Sequence, residues 1–102
     1  MATTRDLTRR IDASLGEIAA EVDFLPELAE DWAAEDEVNR VTWLLEWEEL
    51  MSRLAGLDEA YHAGTMTTEQ RKRYRALRAT LRELLPLLAR LGLPLPPAPP
   101  AE

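Results

Sequence analysis

The chain has 102 residues, enough for one domain and too few for two ordinary ones. Its formal net charge of −7 disfavours a general affinity for nucleic acids and anionic membrane surfaces. Cysteine is absent, which excludes a disulfide framework, a thiolate nucleophile and a cysteine-ligated zinc site. Residues 1–24 lack the apolar core of a signal peptide and no apolar run is long enough to cross a bilayer, so we expect a cytoplasmic protein.

A first helix is predicted over residues 5–24, capped by Thr3 or Thr4. Its apolar residues recur at spacings of three and four and form a stripe about 80° wide, which fits contact along one seam. The stripe consists of Leu7, Ile11, Leu15, Ile18, Val22 and Leu25. Pro26 predicts a break, followed by a short helix over 26–34 and a loop or kink at 35–37. One continuous helix from Pro26 onward is the alternative.

The second long helix is predicted over residues 36–63, with an apolar arc about 200° wide. A helix with so wide an arc needs neighbours on two sides, and we therefore expect it to be the central helix. Val41 and Leu44 belong to this arc, together with Trp43, Trp47, Leu50, Met51, Leu54, Ala55, Leu57 and Tyr61.

The third helix is predicted over residues 68–91. Gly64 ends the second helix, and Thr67 begins a capping box that Gln70 completes. Because the connection is short, the two helices should form an antiparallel hairpin. Pro86 should kink or restart the third helix, and Gly92 should close it. The chain is thus an all-α, three-helix bundle over residues 1–92, with an extended proline-rich tail over 93–102.

Charge is segregated along the chain. Residues 12–59 contain 15 acidic and 2 basic residues, whereas residues 60–91 contain 7 basic and 2 acidic ones. Four arginines border the apolar stripe of the third helix, where charges of paired helices usually lie, and we predict that they pair within the hairpin or between subunits. They are Arg71, Arg75, Arg78 and Arg82. Two alternatives are a nucleic-acid recognition helix and an acidic surface that imitates DNA.

Glu59 and His62 form a Glu-x-x-His motif, which di-iron helical bundles use twice. A second copy is missing, so these two residues are only weak metal candidates and we expect no cofactor. The chain has one histidine and no cysteine, so no nucleophile–base–orienter triad can be assembled, and no glycine-rich phosphate loop is present. We therefore expect no enzymatic activity.

Aromatic and leucine side chains of the second helix and of the segment before it are the candidate residues of a protein interface, although for Trp43 and Trp47 a place in the core is the favoured interpretation and a small-molecule site the least favoured. They are Trp32, Trp43, Trp47, Leu50 and Leu54. The sequence predicts a small acidic helical protein that binds protein, above all a second copy of itself, and no membrane. A small-molecule substrate is not expected. A metal-binding, ferritin-like protein and a DNA-mimicking or nucleic-acid-associated factor are the alternative functions.

Overall fold

The computed structural model describes residues 4–98, which form four α-helices joined by turns and contain no strand. They are α1 (Thr4–Asp31), α2 (Glu37–Ala63), α3 (Thr68–Glu83) and α4 (Leu85–Leu91), with a 3-10 turn at Trp32–Ala34. The prediction of an all-α bundle is confirmed. No helix in residues 4–98 combines the length and the apolar character that crossing a membrane requires.

The predicted break at Pro26 is wrong, because α1 continues through this proline to Asp31. The predicted short helix is therefore the end of α1 plus the 3-10 turn. A proline inside a helix removes a backbone hydrogen bond and costs about 3 kcal/mol. Leu25 and Leu28 lie on either side of it and are both buried. Their burial stabilises the folded chain by about 3–6 kcal/mol. Hydrophobic burial on both sides outweighs the local penalty.

The central helix is α1 and not α2, which corrects the prediction drawn from the wide apolar arc of α2. The backbone of α1 lies close to α2, α3 and α4, whereas α2 and α3 meet chiefly through long side chains. The α1 stripe is aliphatic and buried from Ile11 to Leu28, so its neighbours can approach closely. A narrow stripe thus fills the cleft between two helices and is not confined to a single seam.

The turn between α2 and α3 follows the predicted signals. Gly64 ends α2 in the left-handed region, at φ 74°, which a residue without a side chain adopts readily. Thr67 and Gln70 form the predicted capping box, each side chain bonding the other residue's backbone N–H. Met66 is buried beneath the turn and anchors it to the core.

The predicted third helix is divided at Leu84, and α4 starts again with Pro86 in its first turn. A proline is accepted there because a first-turn N–H has no partner within the helix. After Gly92 the chain has no regular secondary structure up to residue 98, yet Leu93 is buried in the core. Residues 99–102 of the predicted tail, and Thr3 as a predicted cap, lie outside the described residues.

Candidate functional site

The N-terminal half of α2 carries a second apolar face, which is directed away from the core. Val38, Val41 and Leu45 are 73%, 47% and 60% exposed. At about 100° per residue they project within about 60° of one another, and their face lies about 180° from the stripe that α2 buries. The side chains are therefore displayed at the i, i+3, i+7 spacing by which helices pair. We call these three residues the outer face of α2.

Exposed carboxylates border the outer face of α2. Glu37 and Glu48 project on one side of it, and Glu49, about one turn beyond Leu45, projects on the other side. A surface that combines apolar side chains with acidic edges is complementary to an apolar stripe with basic edges. Against a second copy of the same surface the apolar side chains can still pair, while the carboxylates repel one another.

The two predicted interface tryptophans near this end of the bundle keep part of their surface exposed. Trp43 is half-buried and stacks on Phe24 of α1, with ring centroids 5.9 Å apart and Phe24 42% exposed. Trp32 is also half-buried, and the Arg40 guanidinium lies 6.0 Å from the centre of its ring. Both tryptophans therefore join α1, the 3-10 turn and α2 and still present ring surface to solvent.

The other three predicted interface residues lie in the chain's own core. Trp47 and Leu54 are fully buried and Leu50 is 8% exposed. The indole N–H of Trp47 donates a hydrogen bond to the carbonyl oxygen of Pro94 at 2.7 Å. These side chains are not displayed on the surface of a single chain.

The sequence pattern predicts only part of the apolar surface that the structure displays. Val41 belongs to the predicted apolar arc of α2, whereas Val38 and Leu45 lie outside that arc and Phe24 lies outside the predicted stripe of α1. The signal that identifies the outer face of α2 is the spacing of 38, 41 and 45, which forms a stripe opposite the one through Trp47 and Leu54.

At the C-terminal half of α2, Asp58 accepts hydrogen bonds from two side chains of α3. The donors are the hydroxyl of Tyr74 and the guanidinium of Arg78. The ion pair between Asp58 and Arg78 is largely enclosed, with side chains 13% and 11% exposed. Beside it Tyr61 stacks on Tyr74, with ring centroids 4.6 Å apart. Among the four predicted pairing arginines, Arg78 thus pairs with a carboxylate on α2.

The protonation states of this cluster follow from burial and from its internal hydrogen bonds. Burial raises the pKa of Tyr74 to about 12, and the hydrogen bond to the Asp58 carboxylate acts in the same direction. Burial opposes the charged form of Arg78, but its hydrogen bonds to Asp58 and Tyr74 outweigh that effect and raise the pKa of the guanidinium. Near neutral pH the Tyr74 phenol and the Arg78 guanidinium both stay protonated, so neither group is suited to acid–base catalysis.

The remaining predicted pairing arginines lie along the same side of α3. The guanidiniums of Arg71 and Arg75 are 5.3 and 5.7 Å from the centre of the Tyr61 ring. Arg75 also donates from Nε to the Tyr61 hydroxyl oxygen at 3.0 Å. Arg82 is exposed, two turns beyond Arg75. Arginine side chains of α3 therefore make cation–π contacts with the Tyr61 ring, in addition to the ion pair with a carboxylate.

The weak metal candidates, Glu59 and His62, are both exposed near the C-terminal end of α2. Within residues 4–98 no group of three or more histidine, cysteine, aspartate or glutamate side chains is arranged to hold a metal ion.

Fold and surface together define a small helical bundle with an apolar face directed outward. No model of a known protein family matches the chain, and neither the curated proteins nor the solved structures searched contain a match. Function is therefore inferred from the chain's own surfaces.

Proposed function

We propose that this protein is a non-enzymatic helical interaction protein that assembles with a second copy of itself. The observation that carries the proposal is the outer face of α2. Val38 and Leu45 are the two most exposed large apolar side chains in residues 4–98, and Val41 lies between them on the same face. Burying apolar side chains of this size stabilises an association by about 1.5–3 kcal/mol each before the costs of binding are subtracted.

The expected assembly is a two-fold pair in which the outer faces of two α2 helices lie against each other. An i, i+3, i+7 stripe is self-complementary in an antiparallel pair, as an isologous contact requires. The stripe is only one heptad long, which places the contact below the size of a stable interface. We therefore expect a dissociation constant of about 100 µM or weaker.

Sedimentation velocity tests the proposal over a concentration range from about 10 µM to about 1 mM. The wild-type chain should sediment faster as its concentration rises, and Leu45→Glu should remain monomeric. Leu95→Glu is the matched control, because Leu95 is 57% exposed but lies in the segment after α4. It should associate like the wild type. A wild-type monomer at every concentration, or equal association of both variants, would refute self-assembly.

The salt dependence of association separates a second copy from another partner. Two copies bring the carboxylates of Glu37 and Glu48 together, so self-association should strengthen as salt screens their repulsion. Binding to a basic amphipathic helix should instead weaken with salt. A complex that weakens with rising salt would therefore point to a different partner and away from a second copy.

A further inference from the structure

A groove of about 530 Å³ lies between α3 and the segment that follows α4. The segment is held in place by two hydrogen bonds to its backbone. Trp47 donates to the carbonyl oxygen of Pro94 and Arg78 donates to that of Pro97, each at 2.7 Å. The volume lies within the range of small-ligand sites.

The groove is basic in an acidic protein. Its lining contains Arg75, Arg78 and Arg82, and none of the lining residues in the described part of the chain is acidic. The three arginines are spaced by three and four residues, so they lie on one face of α3. Asp58, behind the groove, offsets the charge of Arg78, and Arg82 adds an exposed guanidinium to the lining in a chain whose net charge is −7.

The rest of the lining is largely apolar. Ala79 and Leu85 contribute aliphatic surface from the helices, and Pro96 and Pro97 form the opposite wall. The proline rings have little conformational freedom to lose when a ligand binds. Apolar walls with a few convergent charged groups are typical of sites that bind small organic molecules.

We propose that this groove binds an organic oxyanion, which is a carboxylate or phosphate monoester attached to a hydrocarbon body. The oxyanion pairs with Arg82, because guanidinium groups bind these anions through charge-assisted hydrogen bonds. The Arg82 side chain is exposed and makes no hydrogen bond or ion pair within residues 4–98. The hydrocarbon body lies between Leu85 and the prolines.

Binding here is independent of self-assembly through the outer face of α2. The groove is built from α3, α4 and the segment after it, with Tyr61 from the far end of α2. Val38, Val41 and Leu45 do not line it. A result at one surface therefore leaves the other proposal unaffected.

NMR titration of the full-length chain tests the groove with three small probes. They are 4-phenylbutyrate, phenyl phosphate and the neutral 4-phenyl-1-butanol. Both anions should cause saturable shifts of the arginine Nε–H signals of Arg82 and Arg75 and of the Leu85 amide, and the alcohol should bind at least about tenfold more weakly. The tighter of the two anions identifies the oxyanion. No saturable shift up to about 10 mM, or equal binding of the alcohol, overturns the proposal.

Two arginine variants test which guanidinium pairs with the bound anion. Arg82→Gln should weaken binding of the tighter anion about fivefold, since it removes one exposed guanidinium. Arg90→Gln is the matched control, because Arg90 is exposed on α4 and does not line the groove, and it should bind like the wild type. Both substitutions are at exposed positions and should leave the fold intact. Equal affinity of the two variants would place the anion elsewhere.

Discussion

The C-terminal half of α2, from Trp47 to Tyr61, buries six large side chains, while the N-terminal half leaves Val38, Val41 and Leu45 in solvent. Both halves have apolar residues at helical spacing, so the pattern alone does not separate them. The difference lies in what surrounds each half. The C-terminal half contacts α3 and the segment after α4 through Asp58, Tyr61 and Trp47.

The polar contacts that join different helices are concentrated at the well-packed end. Asp58 there joins α2 to α3, and Gln70 joins α3 to α1 by donating to Thr8 and Asp12. At the other end Asp36 and Asn39 make only local, exposed hydrogen bonds, and Arg40 bonds only the neighbouring 3-10 turn, at the carbonyl oxygens of Trp32 and Ala33. Polar side chains fix the fold where water is excluded, because an unsatisfied group is costly there, and contribute little where water can replace them. Three predictions test this difference.

The largest effect is expected from Asp58→Ala. The substitution leaves the enclosed guanidinium of Arg78 without its carboxylate and the Tyr74 hydroxyl without its acceptor, so the free energy of unfolding should fall by about 3 kcal/mol. Asp36→Ala is the matched change at the other end, where the carboxylate caps α2 by accepting from the N–H of Asn39 at 2.8 Å. Its loss should cost about 1 kcal/mol. Urea unfolding measures both values, and equal losses would contradict the proposed difference.

An intermediate effect is expected from Gln70→Glu. Glutamate suits a capping box as well as glutamine does, so local rules predict no loss. However, Gln70 is 2% exposed, and its Nε2 donates to the Thr8 carbonyl and to the Asp12 carboxylate, each at 2.9 Å. A carboxylate has no proton to donate to either acceptor, and we expect a loss of about 2 kcal/mol.

Asn39→Asp supplies the control for this substitution. The Asn39 amide donates to the Glu35 carboxylate at 3.0 Å, but in an exposed position. The same chemical change should therefore alter the free energy of unfolding by less than about 0.5 kcal/mol. Comparable losses in the two variants would show that burial does not decide the effect.

The sequence predicts the helical class, the turn and the capping box because those signals are local. Gly64, Thr67 and Gln70 act within a few residues of one another. It does not predict that α1 continues through Pro26, since that outcome depends on the burial of Leu25 and Leu28 against other helices. The central position of α1 likewise depends on packing between helices that are distant in the sequence.

The candidate surfaces are less predictable than the fold. The sequence allows Trp47 and Leu54 to lie either in the core or at an interface, and the packing of α1 and of the segment after α4 shows that a single chain encloses them. Asp58 has no local signature, and its partners Tyr74 and Arg78 lie 16 and 20 residues away.

The smallest effect is expected in the pH dependence of the free energy of unfolding, and it comes from the buried hydroxyl of Tyr74. The pKa of Tyr74 is about 12 in the folded chain, against an ordinary value of 10. The folded state therefore holds the phenol proton more tightly than the unfolded state. This contribution is fully present below pH 10 and is lost as the pH rises toward 12, with about 1.4 kcal/mol lost by pH 11. The corresponding fall in the free energy of unfolding should disappear in Tyr74→Phe, whereas Tyr61→Phe should retain it. Urea unfolding between pH 9 and pH 11 measures the slopes, and identical slopes in wild type and Tyr74→Phe would show that the buried phenol is not their source.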